Sequence, residues 1–219
     1  MCGRFAIATP RFRRVEQTLG ATFPTVQQRY NIAPTQNIPA IRMADGGYEL
    51  TEMRWGLIPS WANEPKVGYS TFNARAESVA DKPMFRSAFR SRRCLIPVSG
   101  FYEWQIQNGH KQPYFISSDD KNELVFAGLW DEWHGGTPEH ILSCTIIVGA
   151  ANSLVAPIHD RMPVILPEAA YSTWLDSHAP IDDITNLLAP FPAARMRHWP
   201  VSPAVGNARN ESPDLIAPI

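Results

Sequence analysis

Short strands mixed with a few short helices, an α+β fold, follow from three features of this 219-residue sequence. Twenty prolines are spread along the chain, too many to leave room for long helices. Glycine turn signals at Asp45-Gly46-Gly47 and Asn108-Gly109 separate runs that read as paired strands. Only a few stretches carry apolar residues at helical spacing. With 44% hydrophobic residues the chain can bury a substantial core. We read one domain over residues 1–202, followed by a flexible tail over 203–219, rich in prolines and polar residues.

The elements can be justified in order. Thr9-Pro10 reads as an N-cap with proline at the first helical position; Phe12, Val15 and Leu19 then share a face, and Gly20 ends the helix. Tyr30–Pro34 is extended. Ile38–Met43 and Tyr48–Trp55 form a hairpin across the glycine turn. A helix is expected from about Asp81 to Ser91, with Phe85 and Phe89 four apart. Cys94–Val98, Phe101–Ile106, Gln112–Ile116, Leu124–Leu129 and Ile141–Val148 are strands. In the second of these, alternation puts Phe101, Glu103 and Gln105 on one face and Tyr102 and Trp104 on the other. Two helices, Pro167–Leu175 and Asp182–Leu188, precede a last strand, Met196–Ser202.

Composition excludes some functions. A net charge of −1 does not suit a protein that coats duplex DNA, so any nucleic-acid site must be a local patch. Cys2, Cys94 and Cys144 form no CxxC pair, and Cys94 and Cys144 lie in apolar runs as reduced core residues. The six histidines lack the spacing of metal ligands, so neither a metal nor a cofactor is expected. No apolar leader opens the chain and no apolar run reaches about 18 residues, so a soluble cytoplasmic protein without a membrane partner is expected.

The amino terminus carries the most distinctive chemistry. With Met1 removed, Cys2 holds an α-amine and a thiol on adjacent carbons, with ordinary pKa values of roughly 8 and 8.5. Such a 1,2-aminothiol condenses with an aldehyde to an imine, which the thiol then closes to a five-membered thiazolidine. The plain alternative is a small second residue whose thiol has no role. Similar pairs of readings hold elsewhere. Trp55 and Trp61 flank an irregular loop as core residues or as a stacking surface for unpaired bases. Phe89 with Arg86, Arg90 and Arg93 marks an amphipathic helix or a track for a phosphate backbone. Glu103 among aromatics is a salt-bridge partner or a carboxyl of raised pKa. His159 is a hydrogen-bonded structural residue or a proton donor.

Taken together, Met1–Phe5, Arg29–Thr35, Arg54–Pro59, Asn73–Glu77, Gly100–Trp104, Ala127–Trp130 and Ile158–Pro163 resemble, in this order, the SRAP (SOS response-associated peptidase) family. Ser99 departs from the aspartate found there in many relatives. The resemblance implies antiparallel strands forming a barrel-like core with peripheral helices. It also implies recognition of abasic sites in single-stranded DNA, a covalent bond to them through Cys2, and removal of Met1 by the chain itself. Catalytic roles fall on Cys2, Asn73, Glu103 and His159. DNA contacts fall on Arg4, Asn31, Arg75 and Arg161, with Trp55, Trp61 and Phe89 as stacking residues. The expected protein is monomeric and nucleoid-associated when bound to DNA. Two rivals remain at this level: an N-terminal-nucleophile peptidase or amidohydrolase using Cys2, and a single-strand binding module that forms no bond.

Overall fold

A computed structural model describes residues 2–65, 71–107, 109–135 and 140–219. Met1 and Asn108, used in the readings above, lie outside them. In chain order the elements are β1 (Phe5–Ile7), α1 (Arg13–Leu19), β2 (Arg29–Ile32), β3 (Asn37–Ala44), β4 (Gly47–Trp55) and β5 (Asn73–Arg75). Then come α2 (Arg86–Ser91), β6 (Arg93–Val98), β7 (Gly100–Gln107), β8 (His110–Ser118), β9 (Leu124–Trp133) and β10 (Ile141–Ala150). The last are β11 (Arg161–Pro163), α3 (Tyr171–Leu175), α4 (Ile181–Asn186) and β12 (Met196–Pro200).

Five strands close into a barrel, as the α+β expectation has it. They pair in the order β10, β4, β3, β6, β9, and β9 returns to β10. Every step is antiparallel except β10 with β4. The glycine turn places Ala44 opposite Gly47, with Gly47 at φ +113°. The barrel is small enough that its interior is filled by side chains. At Gly128 a Cβ would come within 2.7 Å of Cys94 Sγ and of Ile96, so only glycine fits on that strand. β5 and β11 add to β10 beyond the closed ring.

A second, antiparallel sheet runs β12, β8, β7, β1, β2. The chain passes from the barrel into it at Ser99, whose N–H donates to Ala6 O at 2.8 Å and whose Oγ accepts from Ala8 N at 2.8 Å. The next residue, Gly100, lies so close to Ile116 O and the Phe115 ring that a Cβ would stand 2.5 Å from each. Phe5 and Phe101 pair across β1 and β7 and point into the barrel side, against Trp55 and Phe126. Tyr102 lies on the other face, against Phe115. The alternation expected for this strand is therefore the one found.

Three local expectations need correction. α1 starts at Arg13 rather than at Pro10, because Thr9 Oγ1 bonds Arg11 O and caps nothing; Gly20 does end it, at φ +62°. α2 starts at Arg86 rather than near Asp81. Pro83 has no N–H to give and disfavours helical backbone at Lys82, so the preceding residues form turns. The segment expected to be a flexible tail is folded onto the outer face of the second sheet. Val205 and Leu215 are buried there with Ala6, Tyr102, Phe115 and Val201. Its prolines and serines build two 3-10 turns, Pro203–Gly206 and Pro213–Ile216, capped by Ser202 and Ser212. Left uncovered, the aromatic outer face of β7, β8 and β12 would stand in water, and burying each such side chain is worth about 1.5–3 kcal/mol.

Candidate active site

The pairing of β1 with β7 brings the amino terminus to Glu103. Phe5 faces Phe101 and Ala6 faces Gly100, and Tyr102 N donates to Arg4 O at 3.0 Å, so the chain before β1 runs alongside Glu103. Cys2 is fully buried, and Asn73 Nδ2 donates to its carbonyl oxygen at 2.8 Å. Asn73 opens β5, which is held by pairing Asn73 with Ile146 of β10. Asn73 Oδ1 is buried and has no hydrogen-bond partner among the described residues. That leaves an acceptor beside Cys2 able to take a hydrogen bond from an amine or hydroxyl.

Glu103 is 2% exposed. Burial pushes its carboxyl up to about 7, against the positive charge of the chain's amino terminus, while Asp160 raises it further. Burial also pushes the Cys2 thiol up, and Glu103 adds to this. The thiol is therefore protonated at neutral pH, and a base must take its proton before the sulfur can attack.

His159 reaches the same region from the loop before β11. Gln105, two residues on from Glu103, donates through Nε2 to Pro157 O at 2.7 Å and ties that loop to β7. His159 Nδ1 lies 2.9 Å from Arg161 N and 3.0 Å from Asp160 Oδ1. A backbone N–H can only donate, so toward Arg161 N the Nδ1 atom accepts, and a neutral ring held in this way carries its proton on Nε2. Asp160 is largely in solvent, which weakens its pull. Burial and the amino-terminal charge lower the His159 pKa, in keeping with a neutral ring.

The residues expected to contact DNA separate into groups. Arg75 and Trp61 are exposed, Trp61 at 62%. Arg161 is half-buried and pairs with Glu77. Arg4 donates to Asn31 Oδ1 at 2.9 Å and Val205 O at 3.2 Å. Asn31 is itself fully buried, and its Nδ2 donates to Val205 O, Asn207 O and Asn210 O. It holds Arg4 and the C-terminal segment rather than reaching solvent. Trp55 and Phe89 are not stacking residues: both are fully buried, Trp55 against Phe5 and Phe72, Phe89 against Trp174. The basic track along α2 is also broken, because Arg93 turns inward onto Trp174 O, Phe89 O and Arg90 O. No sequence signal marked the tail as the partner of Asn31 and Arg4; three backbone acceptors supplied by a Pro-Asn-rich segment carry no side-chain pattern.

The family model described as SOS response associated peptidase (SRAP) matches residues 1–208. The abasic site processing protein YoqW of Bacillus subtilis is 39% identical over 221 residues, covering 99% of each chain. The abasic site processing protein HMCES of Xenopus tropicalis is 37% identical over 88% of this chain and 67% of its own. A crystal structure from Bacteroides thetaiotaomicron superposes with a TM-score of 0.87 over the whole of both chains, at 24% identity, and so shares the fold. Among the described residues no helix is long and apolar enough to cross a membrane. On this match, and on a chain order that runs through every one of the blocks above, the protein belongs to the SRAP family.

Proposed function

We propose that this protein captures abasic sites in single-stranded DNA by forming a thiazolidine between Cys2 and the lesion, once Met1 has been removed. The observation that carries the reading is the position of Cys2, held at its carbonyl by Asn73 beside the buried carboxyl of Glu103, which burial helps to keep protonated. Relatives named abasic site processing proteins support the choice of lesion.

The steps balance around one shuttling proton. An abasic deoxyribose is partly an open-chain aldehyde. The Cys2 amine adds to C1′ and gives a carbinolamine. Glu103, in its acid form, protonates the departing hydroxyl; water leaves and an iminium remains. The Glu103 carboxylate so formed takes the proton from the Cys2 thiol, whose sulfur bonds to the same carbon, and the nitrogen becomes a neutral ring amine. Glu103 ends as it began. A carboxyl poised near neutrality serves both halves, and a thiol raised by burial needs that base. His159 Nε2–H donates to the sugar oxygen freed on ring opening, and Asn73 Oδ1 accepts from the amine or the C1′ hydroxyl. Arg75 and Arg161 face flanking phosphates and Trp61 stacks on a neighbouring base.

The test is incubation of the mature protein with a single-stranded oligonucleotide carrying one abasic site. A complex that survives denaturation should form with the wild type and be absent with Cys2→Ala or with Met1 retained. A complex of equal yield from Cys2→Ala would overturn the reading. Turnover of a generic peptide without adduct would favour the peptidase instead.

A further inference from the structure

Two histidines and a glutamate converge where β9 gives way to β10. Glu132 is the next-to-last residue of β9, His134 follows its end, and His140 immediately precedes β10. Glu132 and His134, two positions apart across the end of the strand, lie side by side. Pairing of Trp133 with Ile141 and of Glu132 with Leu142 then brings His140 up to them. His140 Nδ1 stands 3.2 Å from Glu132 Oε1, and His134 Nε2 stands 3.9 Å from the same oxygen. The two imidazole centroids are 4.9 Å apart, and one ligand-type atom from each residue lies within 4.8 Å of the other two.

An ion pair with Glu132 needs only one of these histidines. Two rings brought onto one carboxylate oxygen present three ligand-type atoms to a single point, as a shared cation requires. The geometry agrees. Metal bonds of about 2.0–2.1 Å in tetrahedral array put neighbouring donors about 3.3–3.4 Å apart. The Glu132–His140 pair, which forms a hydrogen bond at 3.2 Å, already has that spacing, and His134, which is exposed, closes the remainder by side-chain rotation. Two imidazoles with one carboxylate suit zinc, cobalt, nickel or copper(II), whereas calcium and magnesium favour all-oxygen sets.

We propose that Glu132, His134 and His140 bind one divalent transition-metal ion of the zinc type, with a fourth position open to water. The ion fastens the end of β9 to the start of β10. That same hairpin base carries the loop bearing Trp61: Asp131 Oδ2 accepts from Ser60 N at 3.0 Å and Trp133 Nε1 donates to Ala62 O at 2.7 Å. Metal binding therefore stiffens the support under an exposed tryptophan. Histidine spacing along the chain does not mark these ligands, because they meet across a strand pairing and not along one element.

The experiment uses the tag-free full chain carrying Cys2→Ser, so that the amino-terminal thiol is not itself a ligand. Cobalt(II) is added at pH 7.5 and followed by its visible absorption, and zinc chloride is titrated by calorimetry. One equivalent should bind, with the intense cobalt bands of a four-coordinate site. His134→Ala, His140→Ala and Glu132→Gln should each weaken binding by about tenfold or more, while His110→Ala changes nothing. Zinc should raise the melting temperature of the parent but not of the His134→Ala/His140→Ala protein. All three exchanged side chains are at the surface or half-buried, so the variants keep their fold. Equal affinity in the parent and the double variant, or no binding in either, would overturn the proposal.

Discussion

The side-chain amide of Asn73 donates to the main-chain carbonyl oxygen of Cys2 at 2.8 Å across a separation of 71 residues. This single bond joins β5, and through it the barrel, to the chain end that carries the thiol. Asn73→Ala should slow adduct formation by about 10–100-fold, because an unheld Cys2 loses its alignment with Glu103. The loss of a buried hydrogen bond should cost about 1–2 kcal/mol of stability. Single-turnover adduct assays beside thermal melts separate the two effects; an unchanged rate would remove Asn73 from positioning Cys2.

Glu103 predicts a pH signature. Its carboxyl is raised from 4.5 to about 7 in the folded protein. A raised folded pKa means the native state holds the proton more tightly than the unfolded chain. The stabilisation is therefore complete below about 4.5 and is lost as pH rises through 7, with a full swing on the order of 3 kcal/mol. Glu103→Gln should remove this decline between pH 5 and 8 in thermal melts. Adduct formation should show a bell, rising as the amine loses its proton and falling as Glu103 loses its own. The Gln variant should be slower and lack the bend near 7.

The aromatic residues should divide by burial. Trp55→Ala and Phe89→Ala should each cost about 3–5 kcal/mol, since both side chains are fully enclosed. Trp61→Ala should leave the melting temperature within a degree or two while weakening binding to undamaged single strands by about fivefold to a hundredfold. Fluorescence anisotropy with a labelled oligonucleotide checks this. Equal affinity would mean Trp61 serves another surface.

Asn31 should matter to stability more than to contact with DNA. Its Nδ2 satisfies three carbonyls of the C-terminal segment and its Oδ1 accepts from Arg4. Asn31→Ala should cost about 2–3 kcal/mol by leaving these groups unsatisfied. Truncation after Ser202 should also lower the melting temperature and slow adduct formation, because Arg4 loses Val205 O. Differential scanning calorimetry of both variants reads this directly; an unaltered transition after truncation would show that the segment is dispensable.

These contrasts show what was legible in the sequence. The β3–β4 hairpin was, because its turn needs glycine at positive φ. So was the alternation along β7. Trp55, Phe89 and Trp61 could not be sorted, since the same apolar ring suits a core or a stacking surface and only the closed barrel decides which. Arg93 looked like part of a basic track, yet two of the carbonyls that receive it belong to Trp174 and Asp176, more than 80 positions away. The C-terminal segment was misread for a related reason. Proline and serine mark disorder when nothing covers them, but here they form capped turns against an aromatic face.

β10 touches four neighbours, β9, β4, β5 and β11, and two of them present Asn73 and Arg161. Both residues thus hang from a single ribbon, and neither strand can swing away alone without breaking its ladder to that ribbon. Amide protons at Ile146–Val148 should accordingly be among the slowest in the molecule to trade with deuterium. Loosening this span by substitution should slow adduct formation and weaken binding to single strands together, in one cooperative event.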